Sequence, residues 1–247
     1  MAVNKIFARP ESLQDTITHY CPGCPHGYIH RVVAEVLDEL GLRERTVGVA
    51  PVGCSVLAYN YFNCDFLEAA HGRAPAFATG LKRISPEMIV FTYQGDGDLA
   101  SIGFNELFHA ANRGEKFTTI FVNNAIYGMT GGQMAPTTLP NQRTSTCPAG
   151  RDVEHAGFPV KVCEILSQIV TPGFVARVSS KDPMHIVEMK QVIKRAFQYQ
   201  VENKCYSLVE VLSSCPTNWG MTPRDAIEWV GTDMEPYFPL GVFKEPE

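Results

Sequence analysis

Apolar segments of strand length alternate with amphipathic segments of helical spacing along this chain. That alternation predicts an α/β fold: a doubly wound, mainly parallel sheet with helices on both faces. Three observations carry the expectation. The runs MIVFTY, TTIFVNN and SLVEVL are near-continuously apolar, as strands covered on both faces are. Helical patterns separate them. Glycine-bearing polar stretches fall where the runs end, and in such sheets ligands bind at the carboxyl ends of strands.

Residues 27–41 place Ile29, Val32, Val33, Val36, Leu37 and Leu40 at helical spacing and stop at Gly41. TVGVAPVG reads as a short strand and MIVFTY as another. LASIGFNELFHAANR is helix-like, and TTIFVNN is a strand. VCEILSQI is then a helix, FVARVSS a strand, and a long helix runs from Pro183 to about Asn203, proline being free of cost in a first turn. SLVEVL is the last clear strand. Residues 1–247 are expected to form one domain, with an N-terminal CxxC loop and a C-terminal extension.

A net charge of -5 and a pI near 5.8 argue against nucleic acid or an anionic membrane as the main partner. No apolar run approaches the ~18 residues needed to span a bilayer. MAVNKIFARPESLQDT carries no signal-peptide pattern, so a cytoplasmic location is expected. In a reducing compartment, eight cysteines point to metal ligands or redox groups rather than disulfides.

The most informative segment is QGDGDLASIGFNELFHAANRGEKFTTIFVNN. Asp96 stands at a strand end, and Asn124 stands 28 residues later at the end of the next strand. In a right-handed βαβ crossover these ends are neighbours or near neighbours. A carboxylate and an amide oxygen converging there suit Mg²⁺, which completes its shell with water and ligand phosphates. Gly95 and Gly97 let backbone approach, and the helix start offers N–H groups to an anion. A diphosphate held through Mg²⁺ is implied; the plainer reading is an acidic turn and a polar strand end. The long stretch from Tyr127 to Asp152 has no periodicity, but its Thr130-Gly131-Gly132-Gln133 turn offers backbone N–H groups to a phosphate.

The segment resembles the thiamine diphosphate-binding motif, GDG followed by an asparagine pair. GDGDLASIG…NNAIYGMTGGQ resembles more narrowly the β subunits of the 2-oxoacid:ferredoxin oxidoreductases, of the branched-chain or 2-oxoglutarate type. The likeness runs from YCPGCPHG through VGCS and HGRAPAFATG to SSCPTNWG. It implies the thiamine diphosphate-binding fold, with Asp96 and Asn124 as Mg²⁺ ligands, the Ile126 carbonyl as a third, and the Thr130–Gln133 turn over the diphosphate. Ser55 is a candidate for touching the diphosphate. His71 and Arg73, in AAHGRAP, are candidates for contact with substrate or diphosphate, a structural histidine being the competing reading.

Read by residue type alone, Cys21-Pro22-Gly23-Cys24 could serve zinc, a redox dithiol, an iron–sulfur cluster or nothing. Cys54 and Cys215 fall at probable strand ends, and four thiolates from such loops suit a [4Fe–4S] cubane. The resemblance selects the same four: Cys21, Cys24, Cys54 and Cys215. Cys205, at the start of a strand, is at the wrong end. One departure is Pro25, where the family has glycine; it removes a backbone N–H that a cluster sulfur or cofactor could use.

No residue here suits the carboxylate that thiamine enzymes need beside the aminopyrimidine. The resemblance implies that a pyrimidine-binding α subunit supplies it, alongside a γ and a ferredoxin-like subunit. It further implies oxidative decarboxylation of a 2-oxoacid to acyl-CoA and CO₂, with coenzyme A taking the acyl group and ferredoxin the electrons. Two alternatives are a non-oxidative thiamine-dependent decarboxylase subunit, with no use for the cysteines, and an iron–sulfur electron-carrier module, with no use for thiamine.

Overall fold

The computed structural model describes residues 7–246. The first six residues of the stretch read as lacking a signal peptide, and Glu247, lie outside that range. The elements in chain order are α1 (His26–Glu39), β1 (Thr46–Ala50), β2 (Asp65–Glu68), α2 (Ala74–Ile84), β3 (Ile89–Gly95), α3 (Phe104–Arg113), β4 (Thr118–Asn123), α4 (Val153–Ala156) and α5 (Val162–Ser167). There follow β5 (Gly173–Ser179), α6 (Pro183–Val201), β6 (Tyr206–Leu212), α7 (Pro216–Trp219), α8 (Pro223–Trp229), α9 (Glu235–Tyr237) and β7 (Gly241–Lys244). All seven strands join one sheet in the order β2-β1-β3-β4-β6-β5-β7. Every pairing is parallel except β5 with β7.

The near-continuous apolar runs have the predicted cause. Every residue of β4, β5 and β6 is buried, because helices cover both faces. On one face α1 and α6 deliver Ile29, Val33, Leu37, Met189, Ile193 and Phe197 against Phe91, Ile120 and Val209. On the other, α2, α3 and α5 deliver Ala78, Leu107 and Leu166 against Val90, Phe121 and Leu208. Removing such surface from water is the main driving force for this layering.

Three features go beyond the sequence reading. The edge strand β2 and the helix α2 have no counterpart in the sequence reading. β2 is half solvent-exposed and so carries no apolar run, while α2 announces itself only by Pro75 in its first turn. The segment after Asp96 is not α-helical throughout: Gly97–Ile102 is a wide π turn, closed by Gly103 N–H donating to the Asp98 carbonyl (2.8 Å), before α3 begins. Such turns cluster at functional sites. Third, the long stretch after Tyr127 is ordered around Arg151. Its buried guanidinium donates to the carbonyls of Ala135, Pro136, Thr138, Ala156, Gly157 and Phe158 at 2.8–3.3 Å. One cation thus satisfies six acceptors that a buried loop would otherwise leave unpaired.

Candidate active site

β1, β3, β4 and β6 are consecutive neighbours in the sheet. Their carboxyl ends deliver Cys54, Gly95-Asp96, Asn124 and Cys215 to one edge, the region where open α/β sheets bind ligands. A cavity of about 260 Å³ opens there, lined among others by Ser55, His71, Gly95, Asp96, Gly97, Asn124, Ile126 and Thr130. A Cβ at Gly95 would stand in open space rather than against protein, so glycine there leaves room for a ligand. His26, Asp98 and Tyr127 also line the cavity and were not singled out as site residues by sequence reasoning.

Asp96 is buried. It accepts hydrogen bonds from Gly97 N–H (2.9 Å), Ile126 N–H (3.0 Å) and the Thr137 hydroxyl (2.9 Å). Burial pushes its carboxyl up to about 7, although these donors pull in the opposite direction. Asn124 Oδ1 stands 2.7 Å from the Ile126 carbonyl oxygen and 3.3 Å from Asp96 Oδ2. Ile126 N–H donates to both Asp96 Oδ2 (3.0 Å) and Asn124 Oδ1 (3.3 Å), but no proton lies between Asn124 Oδ1 and the Ile126 carbonyl oxygen, and these two oxygens repel. Turning the amide over would let its nitrogen donate to both neighbours; a hard cation among them would relieve the same repulsion and suit the donor set better. The three oxygens are those the sequence reading names.

The neighbouring residue of each pair does the holding. Asn123 is buried; its amide donates to Glu210 Oε1 (2.8 Å) and its oxygen accepts from Ala125 N–H (3.1 Å). Ala125 takes the left-handed conformation, φ 55°, which turns Asn124 and Ile126 toward the cavity. Glu210 is itself paired with the buried Arg177 (2.9 Å), which also engages Glu164 (2.6 Å). Asp98 clasps three segments: Oδ1 accepts from Val52 N–H (3.2 Å), Gly72 N–H (2.8 Å) and His71 Nδ1 (2.7 Å), and Oδ2 from Gln94 Nε2 (2.7 Å). A carboxylate at His71 Nδ1 fixes the proton there and leaves Nε2 as the acceptor of the neutral ring.

Not every predicted residue reaches the cavity. Arg73 pairs with Glu106 and is absent from the lining. Within the Thr130–Gln133 turn only Thr130 lines the cavity; Gln133 folds back so that its carbonyl accepts from Tyr127 N–H (3.0 Å).

Cys21, Cys24, Cys54 and Cys215 gather beside the cavity, and every pair among the four is close enough for one thiolate to raise the proton affinity of another. Burial, reinforced by these neighbours, pushes Cys24 up to about 11 and Cys54 up to about 12. Cys205 lies buried in the core instead. Among the described residues no three His, Cys, Asp or Glu side chains approach closely enough to share one metal ion. A cubane spreads four thiolates over four irons, so they need not converge on one ion as in a zinc site.

A family model described as the C-terminal TPP-binding domain of thiamine pyrophosphate enzymes matches residues 51–211, from the end of β1 to β6. The fold and the cavity are thus those of a thiamine pyrophosphate-binding domain. Ketoisovalerate oxidoreductase subunit VorA of Methanothermobacter thermautotrophicus is 49% identical over 98% of this chain and 53% of its own length. 2-Oxoglutarate synthase subunit KorB of Methanocaldococcus jannaschii is 35% identical over 88% of this chain and 78% of its own. The 2-oxoglutarate:ferredoxin oxidoreductase of Magnetococcus marinus, solved with 2-oxoglutarate, coenzyme A and succinyl-CoA, superposes with a TM-score of 0.81 at 25% identity, covering 98% of this chain and 86% of that one. The chain belongs to the 2-oxoacid:ferredoxin oxidoreductase family, as a thiamine pyrophosphate-binding subunit. It spans about half the length of the ketoisovalerate relatives it matches.

Proposed function

We propose that this chain is the catalytic, β-type component of an enzyme that oxidatively decarboxylates a 2-oxoacid to acyl-CoA and CO₂ and passes the electrons to ferredoxin. The observation that carries the reading is that a group of three oxygens and a group of four thiols both come close to one backbone residue, Gly128. A Cβ there would lie 3.0 Å from Cys54 Sγ and 3.7 Å from both Cys215 Sγ and Asn124 Nδ2.

Asp96, Asn124 and the Ile126 carbonyl would hold Mg²⁺, and through it the diphosphate; Ser55, Gly95, Gly97 and Thr130 shape the space around it. Cys21, Cys24, Cys54 and Cys215 would ligate a [4Fe–4S] cluster. When bound, thiamine diphosphate supplies the electron sink that decarboxylation needs, and the cluster accepts single electrons. Asp98 holds His71 so that Nε2 can take or return a proton within the cavity. The carboxylates lining the cavity, Asp96 and Asp98, are both committed. The glutamate that activates the aminopyrimidine is therefore assigned to a partner subunit. A branched-chain 2-oxoacid is proposed ahead of 2-oxoglutarate, supported by the higher identity to the ketoisovalerate relatives. Among the described residues no helix is long and apolar enough to cross a membrane, and a reducing cytoplasm suits the free thiols.

The test is anaerobic purification with the partner subunits, followed by measurement of iron, sulfide and thiamine diphosphate. Coenzyme A-dependent viologen reduction is then compared for 2-oxoisovalerate, 2-oxoglutarate and pyruvate. Both cofactors, with fastest turnover on the branched acid, are expected. Thiamine diphosphate without iron would replace the proposal with a non-oxidative decarboxylase; iron without thiamine diphosphate would leave an electron carrier.

A further inference from the structure

Asn218 sits in α7, three residues after Cys215, and its side chain reaches both halves of the site. We infer that Asn218 is a positioning residue that ties a cluster ligand to the cofactor loop, its amide donating to Cys215 Sγ (3.3 Å) and to the Gly128 carbonyl (2.8 Å). The inference rests on the cluster reading above. A primary amide has two N–H donors, so both bonds form together.

Gly128 lies close to Cys54, Cys215 and Asn124 at once: a Cβ there would stand 3.0–3.7 Å from an atom of each. Fixing its carbonyl to the same amide that holds Cys215 sets the spacing between the sulfur and oxygen sides. Asn218 is half-buried, so its donors are not freely exchanged for water. Hydrogen bonds to cluster sulfur stabilise the more negative reduced state and raise the reduction potential.

The test compares the anaerobically purified complex with Asn218→Asp, which keeps the shape but replaces the donor by a charge, and Asn218→Leu, which removes polarity. Both are expected to retain iron and to lower the midpoint potential of one cluster in an EPR-monitored titration, Asp more than Leu. Asn218→Gln, which keeps the donors, should lie closer to the unsubstituted protein. Thiamine diphosphate affinity, measured separately by calorimetry, should weaken about tenfold in Asn218→Leu, as for other supporting partners of a metal site. If Asn218→Leu sheds iron, Asn218→Asp carries the potential measurement. Unchanged potential in an iron-loaded variant would overturn this inference alone. Iron absent from the unsubstituted complex would overturn the cluster reading and this inference with it.

Discussion

The oxygen side and the sulfur side of the cavity are built in opposite ways. Asp96, Asn124 and Ile126 come from a single βαβ unit, β3–α3–β4, whose strands are adjacent and parallel. Behind them stands a buried brace: Asn123 to Glu210, Glu210 to Arg177, Arg177 to Glu164, with Thr137 on Asp96 itself. The four cysteines come from three separate segments, and Cys21 is exposed. Apart from a turn in which Cys24 N–H donates to the Cys21 carbonyl (3.0 Å) and the Asn218 contacts, little holds that quartet. The oxygen side is thus preorganised by protein, whereas the sulfur side would close only around the cluster proposed for it.

The sharpest way to break this comparison is to remove one thiolate. Cys21→Ser is expected to abolish iron binding while leaving thiamine diphosphate affinity unchanged, read by iron assay and calorimetry on the same preparation. Loss of both together would show that the two sides are not independent. Asp96→Ala should weaken Mg²⁺–thiamine diphosphate binding by more than about 100-fold, since even supporting residues of a metal site cost 10–100-fold; the iron content should stay. Thr137→Val removes only a donor to Asp96 and should cost about tenfold in the same calorimetric measurement; an unchanged affinity would mean that the brace is ornamental to binding.

The smallest effect is on pH dependence. Asp96 is raised by burial from an ordinary value near 3.8 to about 7. In the cation-free protein its contribution to stability is fully present below pH 3.8 and is lost as the pH rises through about 7, where the buried charge forms. Mg²⁺ with thiamine diphosphate binds the charged form, so its stabilising effect should grow as pH rises toward about 7 and then level off. Thermal melts with and without Mg²⁺ and cofactor between pH 5.5 and 8 would show this, and a pH-independent increment would contradict it.

The oxygen side was legible in sequence because its spacing obeys local geometry. A strand, a helix and the next strand bring Asp96 and Asn124 together whatever the rest of the sheet does. On the sulfur side the residues themselves showed four cysteines in strand-end loops, and the family likeness singled out the cluster among the possible chemistries. CxxC by itself fits several chemistries, and its joining to Cys54 and Cys215 depends on a sheet order that no periodicity encodes. Asp98, Thr137, Arg151 and Asn218 escaped notice for a related reason. Each is an ordinary polar residue in a loop, turn or helix start, and its partners lie mostly in other segments. Arg73, a charged residue beside His71, invited a site role; it pairs with Glu106 of α3, a partner that no local spacing announces.

The sequence was enough for the alternating α/β layers and for placing Asp96 and Asn124 at neighbouring strand ends, because apolar periodicity and right-handed crossovers act over short stretches of chain. The order of the sheet came only with the packing: β1, β3, β4 and β6 lie side by side, and so Cys54, Cys215 and Asn124 meet close to Gly128. Packing also decided which polar residues brace them. Those outcomes depend on which buried faces pack together, and packing between distant segments is a property of the whole chain rather than of any window along it.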